Sequence, residues 1–167
     1  MGSEKTPTQL AIGYTAFAVS VAAAAYITTK ALYAVFTAYV VRYHKELAEA
    51  EAQELRKSPR QFTPSELAKH DGRNPRHCLF MAVKGRVIDV HELGAEFYGP
   101  GGPYKHLAGR DGSKALALMS LKAEDAIADL AGLTEDQLEV LDDWAKKLYE
   151  KYPLVGQLVP ERPATSS

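Results

Sequence analysis

Hydrophobic and polar positions divide the chain into two unlike stretches. Residues 10–41 carry a single charge, Lys30, whereas residues 42–167 hold 18 of the 20 basic and 20 of the 21 acidic residues. Leu10 to Thr29 (LAIGYTAFAVSVAAAAYITT) is 20 residues long and uncharged. As a helix rising about 1.5 Å per residue, it spans the roughly 30 Å hydrocarbon layer of a bilayer. Apolar character resumes after Lys30 as ALYAVFTAYVV, so the whole run is 32 residues. At roughly 48 Å it exceeds one bilayer core and must tilt or project beyond it. A secretory signal is the competing reading. Its apolar core would be shorter and preceded by positive charge, and only Glu4 and Lys5 stand in front here. The pattern predicts a polar tail over 1–9 and a retained transmembrane helix over 10–41.

Lys30, Arg42, Lys45, Arg56 and Lys57 lie on the C-terminal side of the span. The positive-inside tendency places the soluble part in the cytosol, or in the matrix if the membrane is mitochondrial. Ala16, Ser20 and Ala24 recur every four residues, as do Ala18 and Ala22. Such a stripe lets a second membrane helix approach closely; alanine is also simply a good helix former. The opening Met1-Gly2-Ser3-Glu4-Lys5-Thr6 matches an acylation pattern, but a membrane span makes a lipid anchor redundant.

Arg42 to Lys57 (RYHKELAEAEAQELRK) is rich in helix formers and poor in periodic apolar content. It reads as a solvated helical stalk or a face for a partner, over 42–60, ended by Ser58-Pro59-Arg60. Thr63, Pro64 and Glu66 then form a capping box with proline at the first helical position, which starts a short helix. LFMAVK (79–84) and RVIDV (86–90) are β-like runs about Gly85, and so a hairpin. A glycine- and proline-rich loop follows at 99–103. Segments 113–120 and 124–130 read as helical. Thr134 and Gln137 make a second capping box, opening a helix over Glu135–Lys151. Its apolar stripe, Leu138, Leu141, Trp144, Leu148 and Tyr152, is expected in the core. Pro153 stops the helix, Val155–Val159 is a candidate last strand, and 160–167 is a polar tail. This is an α+β pattern, a small sheet with short helices around a pocket.

Composition narrows the chemistry. A formal charge of −1 gives no general attraction to nucleic acid. The lone cysteine, Cys78, excludes an internal disulfide and a cysteine-built zinc site, and its place before an apolar strand predicts a buried, inert thiol. GPGGP lacks the Lys-Ser/Thr ending of a nucleotide loop, and its prolines remove amide donors. His70 and His77 flank a turn without metal-ligand spacing, and His91 is placed to cap the following helix. No Ser/His/Asp set or carboxylate pair stands at interpretable spacing, so no enzyme is expected.

The run Phe97-Tyr98-Gly99-Pro100-Gly101-Gly102-Pro103-Tyr104, followed by Ala108-Gly109-Arg110-Asp111, resembles the membrane-associated progesterone receptor family of cytochrome b5-like haem/steroid-binding proteins. FTPSELAKHDG (62–72), MAVKGRVIDV (81–90) and DDWAKKLYEKYPLVGQL (142–158) match in the same order. The resemblance covers 61–159, and the N-terminal anchor also suits it. It implies a cytochrome b5-like fold after a transmembrane helix and haem b held on one side by a tyrosine. By motif position the ligand to the haem iron is Tyr104, with Tyr98 hydrogen-bonding to it and Lys151 and Tyr152 approaching the haem edge and propionates. It further implies steroid as a ligand class, the endoplasmic reticulum as location, and an exposed haem face used for homodimers and for contacts with haem monooxygenases.

That ligand set is chemically coherent. A phenol ordinarily ionises near 10; ferric iron and a neighbouring hydrogen-bond donor both favour the phenolate, a hard oxygen ligand. Bis-histidine electron transfer of the ordinary cytochrome b5 kind is not expected, because no histidine follows His106. His106 departs from the family, which usually has an apolar residue there. It could replace Tyr104 as ligand, face solvent or a partner, or signal that haem is absent. Two functions stand open. One is a membrane-anchored haem-binding adaptor to membrane oxidoreductases. The other is a structural accessory subunit of a large membrane assembly, such as a respiratory complex of the mitochondrial inner membrane, with or without haem. The overlong anchor with its small-residue stripe motivates the second.

Overall fold

The computed structural model describes residues 6–161. Nearly all of the acylation-like opening, which is not expected to be used, and most of both polar tails lie outside them. The chain divides into two units, one ending at Tyr43 and one beginning at His44, and helix α1 (Pro7–Lys57) contributes to both.

In the first unit α1 is a candidate membrane span: mean hydropathy reaches 1.4 and none of that window is buried by protein. Its hydroxyls fold back on their own helix. Ser20 Oγ donates to the Ala16 carbonyl at 2.9 Å and Thr37 Oγ1 to that of Tyr33 at 2.8 Å. A hydroxyl satisfied in this way is compatible with hydrocarbon.

The second unit is built on a four-stranded sheet ordered β1-β4-β3-β2. Strand β2 (Phe80–Val83) and β3 (Arg86–Asp89) form the expected hairpin, Met81 opposite Ile88. The two connecting residues, Lys84 and Gly85, both have positive φ (49° and 74°), the twist that suits a two-residue hairpin turn. Strand β4 (Leu154–Leu158) runs antiparallel to β3 and parallel to β1 (Arg60–Phe62). The free edge of β2 is occupied by the loop after Leu107: Gly109 N–H donates to Phe80 and Gly112 N–H to Ala82, each at 2.8 Å.

Both faces of the sheet are covered, which is why LFMAV shows no polar alternation. Leu79, Met81, Val83 and Ile88 enter one core cluster with Leu107, Ala115, Leu141, Ala145, Leu148 and Tyr152. That face is roofed by α3 (His91–Tyr98), α4 (Ser113–Ala117) and α5 (Glu135–Lys151). Cys78, Phe80, Ala82 and Val87 enter the other cluster, with Phe62, Leu67 and Val155. There the covering element is the C-terminal end of α1.

That last point revises the solvated stalk. Ala48, Ala52 and Leu55 are buried in the second cluster. They recur every three to four residues, so a stretch with few large apolar residues still presents one small apolar face. Arg56 fixes it: Nε and Nη2 donate to Asp89 Oδ2 at 3.0 and 2.7 Å.

Both capping boxes form, at Thr63/Glu66 on α2 (Pro64–Leu67) and at Thr134/Gln137 on α5. Other local expectations are corrected. Segment 124–130 is not a helix; only a 3-10 turn at Ala123–Asp125 forms, because Ser120 Oγ donates to Asp125 at 2.5 Å and Ala126 (ψ 70°) leaves the helical region. Asp89, not His91, serves the start of α3, its Oδ1 accepting His91 N–H at 2.9 Å. Leu138 and Trp144 are 37% and 38% exposed rather than in the core. At 3.6 residues per turn they sit about 60° to either side of Leu141, at the margins of the stripe.

Candidate functional site: an apolar cavity with a tyrosine at its mouth

Helix α3 ends at Tyr98, and the glycine- and proline-rich loop folds directly under it. Gly102 N–H donates to Gly99 at 2.8 Å and Tyr104 N–H donates to the Phe97 carbonyl at 2.9 Å. A Cβ on Gly102 would lie 2.2 Å from the Phe97 oxygen, so glycine is needed for this return. Tyr104 is thereby held against the end of α3, its ring 6.0 Å from that of Tyr98 at 39°.

Both tyrosines line a cavity of about 300 Å³. Its other walls are mostly apolar: Leu107, Ala115, Leu116, Met119, Leu121 and Trp144. Trp144 leaves the core because it forms this wall. Tyr104 is 39% exposed at the cavity, whereas Tyr98 is buried. Met119 stands at the rim, 74% exposed and at φ 49°, a strained backbone of the kind that gathers at ligand sites.

Burial pushes the Tyr98 phenol well above its ordinary value, with the fields of Tyr152 and Tyr104 and hydrogen bonding with Tyr152 acting the same way. Tyr98 therefore keeps its proton, and its hydrogen-bond partner is Tyr152. Tyr152 and Lys151 do not line the cavity. Tyr152 is buried behind Tyr98, ring to ring at 6.1 Å and 81°. Lys151 is exposed, its Nζ 5.5 Å from the Phe97 ring and 5.1 Å from that of Tyr152. The four site residues form one continuous row, but only two face the cavity.

His106 lines a different cavity, which shares no lining residue with that of Tyr104. Nor does it simply face solvent, since its Nε2 is buried without a hydrogen-bond partner. The Arg110-Asp111 pair is structural at its acid. Asp111 accepts from the backbone and hydroxyl of Ser113 and from Gly85 N–H at 3.2 Å, tying the hairpin turn to α4. Cys78 is buried and its thiol is pushed up to about 12, chiefly by desolvation, so it is an unreactive thiol. The cavity walls Leu107, Leu116, Met119, Leu121 and Trp144 were missed in the sequence. The apolar run 115–121 was the available signal.

One exposed phenol in a mostly apolar slot, beside a protonated phenol, can offer a hard oxygen donor to a metal and apolar walls to a flat ligand. The fold and this slot define a cytochrome b5-like binding domain, and residues 63–159 match the family described as "Cytochrome b5-like Heme/Steroid binding domain". The chain is 43% identical over 99 residues to "Probable steroid-binding protein 3" of Arabidopsis thaliana, covering 59% of this chain and 98% of that one. It is 33% identical over 151 residues to "Cytochrome P450 regulator dap1" of Schizosaccharomyces pombe, covering 85% and 88%. A solved Arabidopsis thaliana protein, described as having a cytochrome b5 like fold, aligns with a TM-score of 0.55 at 43% identity, over 59% of this chain and 90% of that one. The match to "Membrane-associated progesterone receptor component 2" of Homo sapiens, at 42% identity over 62% of this chain, spans only 47% of that relative's length. The chain belongs to the membrane-associated progesterone receptor family of cytochrome b5-like proteins.

Proposed function

We propose that this protein is a membrane-anchored haem-binding adaptor that regulates membrane oxidoreductases of the cytochrome P450 kind. Tyr104, half exposed at the mouth of an apolar cavity beside the protonated Tyr98, carries this reading. Tyr104 would hold the iron of haem b as phenolate. Tyr98 would donate to that phenolate, and Lys151 would supply positive charge for the propionates, with Tyr152 supporting Tyr98. Haem held there would supply ferric-iron chemistry that a partner oxidoreductase could use. The apolar walls would equally accept a steroid. The likeness to a P450 regulator over 85% of the chain, which takes in at least part of α1, supports the partner class. We place the domain on the cytosolic face of the endoplasmic reticulum and give it no catalytic role of its own.

The test is the visible spectrum of the purified, haem-replete full-length protein against Tyr104→Phe. A Soret band lost or strongly shifted in the variant is expected. Absence of the band in wild type would sink the haem reading. The second reading, an accessory subunit of a larger membrane assembly such as a respiratory complex of the inner mitochondrial membrane, rests on the small-residue row Ala16, Ser20 and Ala24, exposed along α1. Blue-native electrophoresis of solubilised membranes distinguishes the two: migration as a monomer or dimer supports the adaptor.

A further inference from the structure

The loop that presents Tyr104 to one cavity presents the next two residues to another. This second cleft is about 530 Å³, and Arg73, Lys105, His106 and Arg110 line it against one carboxylate, Asp71. Asp71 is already engaged by its own neighbour: Oδ1 accepts the Arg73 backbone N–H at 2.9 Å and Oδ2 lies 3.3 Å from Arg73 Nε. Among the described residues no carboxylate pairs with Lys105 or Arg110. Arg110 Nη1 donates to the Ala123 carbonyl at 3.2 Å, which fixes the guanidinium at the cleft and leaves other N–H donors on it. His106 also lines the cleft; its Nε2 is buried, so the imidazole is a neighbour of whatever enters rather than a donor to it.

We propose that this cleft binds a phosphate monoester group. Three cations facing one engaged carboxylate leave a net positive site. Two guanidiniums and an ammonium from different residues, Arg73, Arg110 and Lys105, offer more N–H donors than one flat carboxylate takes up and suit a tetrahedral dianion with several acceptor oxygens. The site is not a phosphate loop: its donors are the side chains that follow GPGGP, not the amides within it. The group could be carried by a soluble phosphorylated molecule or by a phosphatidate headgroup, and both present the same chemistry.

The test uses the full chain, labelled with 15N at histidine, in a neutral detergent. Inorganic phosphate is titrated at constant ionic strength, with chloride as control, and the His106 ring nitrogens are followed by NMR. A parallel sample in phosphatidylcholine nanodiscs is compared with and without phosphatidate. A saturable His106 shift is expected, weakened about tenfold or more in Lys105→Glu, whose thermal midpoint should match wild type because Lys105 is exposed. A shift with inorganic phosphate identifies a soluble ligand as sufficient; a shift only with phosphatidate identifies the headgroup. No saturable shift in either sample, the same shift with chloride, or undiminished binding by Lys105→Glu overturns the proposal.

Discussion

Asp89 has a fully buried side chain, and it is the point where α1 and the sheet are tied chemically as well as by packing. One oxygen accepts His91 N–H and the other accepts two N–H groups of Arg56. Burial works against the Arg56 charge, yet the hydrogen bond and field of Asp89, with help from Glu92, raise its pKa above the ordinary value. Arg56→Ala would strand Asp89 in the interior. Because Arg56 is itself partly exposed, we expect a loss of about 2–3 kcal/mol rather than the full penalty of a buried broken pair. Arg56→Lys should recover only part of it, since an ammonium cannot place two donors on one oxygen in the same fixed geometry. Denaturant unfolding of the full chain measures both. His70 carries a different prediction. It is buried, stacked on Phe80 at 4.3 Å, with Nδ1 2.9 Å from the Cys78 carbonyl. Burial lowers its pKa below 6.5, outweighing the bond to Cys78, while His77 adds to the lowering. The unfolded chain therefore binds the proton more readily as pH falls below about 6.5, and His70 withdraws stability from there down to its folded pKa. The thermal midpoint should decline over that window, and His70→Gln should flatten the decline. An unchanged slope in the variant would assign the effect elsewhere.

At the scale of elements, two glycines separate turn chemistry from packing. Gly85 needs positive φ, but a Cβ there meets nothing within 4 Å; Gly85→Ala should lose only about 1 kcal/mol. Gly156 has no such φ, but a Cβ would lie 2.1 Å from the Arg60 carbonyl and 2.7 Å from the Phe62 ring. Gly156→Ala should lose roughly 3 kcal/mol and disturb the β1–β4 pairing, read as lost amide protection at Gln61 and Phe62 in hydrogen exchange. The same contrast explains what could be read in advance. The hairpin and both capped helices are local, encoded within a few residues of themselves, and were legible. Strand β1 is three residues whose only partner lies more than ninety positions away, and no local pattern announces it. Segment 124–130 contains good helix formers, but a side-chain bond from Ser120 competes with the helix for Asp125. Of the candidate site, Tyr98 and Tyr104 were legible only through their motif. The cavity walls were not, because Trp144 sits on the margin of an apolar stripe, and only packing decides whether a margin faces core or ligand.

For the whole molecule, the telling question is how much of the soluble unit depends on α1. Residues 44–57 look dispensable on two grounds: their sequence is charged, and a relative covered over 98% of its length aligns with only 99 residues of this chain. The packing argues otherwise here. Ala48, Ala52 and Leu55 cover a face formed by Phe62, Leu67, Phe80 and Val87, and Arg56 neutralises Asp89. A chain beginning at His44 keeps all of these contacts, so it should fold and remain soluble without detergent. A chain beginning at Ser58 uncovers the apolar face and the carboxylate together. The sheet should still form, as the short relative indicates, but with stability lower by roughly 4 kcal/mol and a tendency to self-associate through the uncovered patch. Thermal unfolding and sedimentation of the two truncations check this. Equal stability and equal monomeric behaviour would mean that α1 merely rests on the sheet. A difference of the expected size would mean that residues 44–57 and the sheet share one core, so that the last turns of α1 are part of the fold that holds the tyrosine cavity.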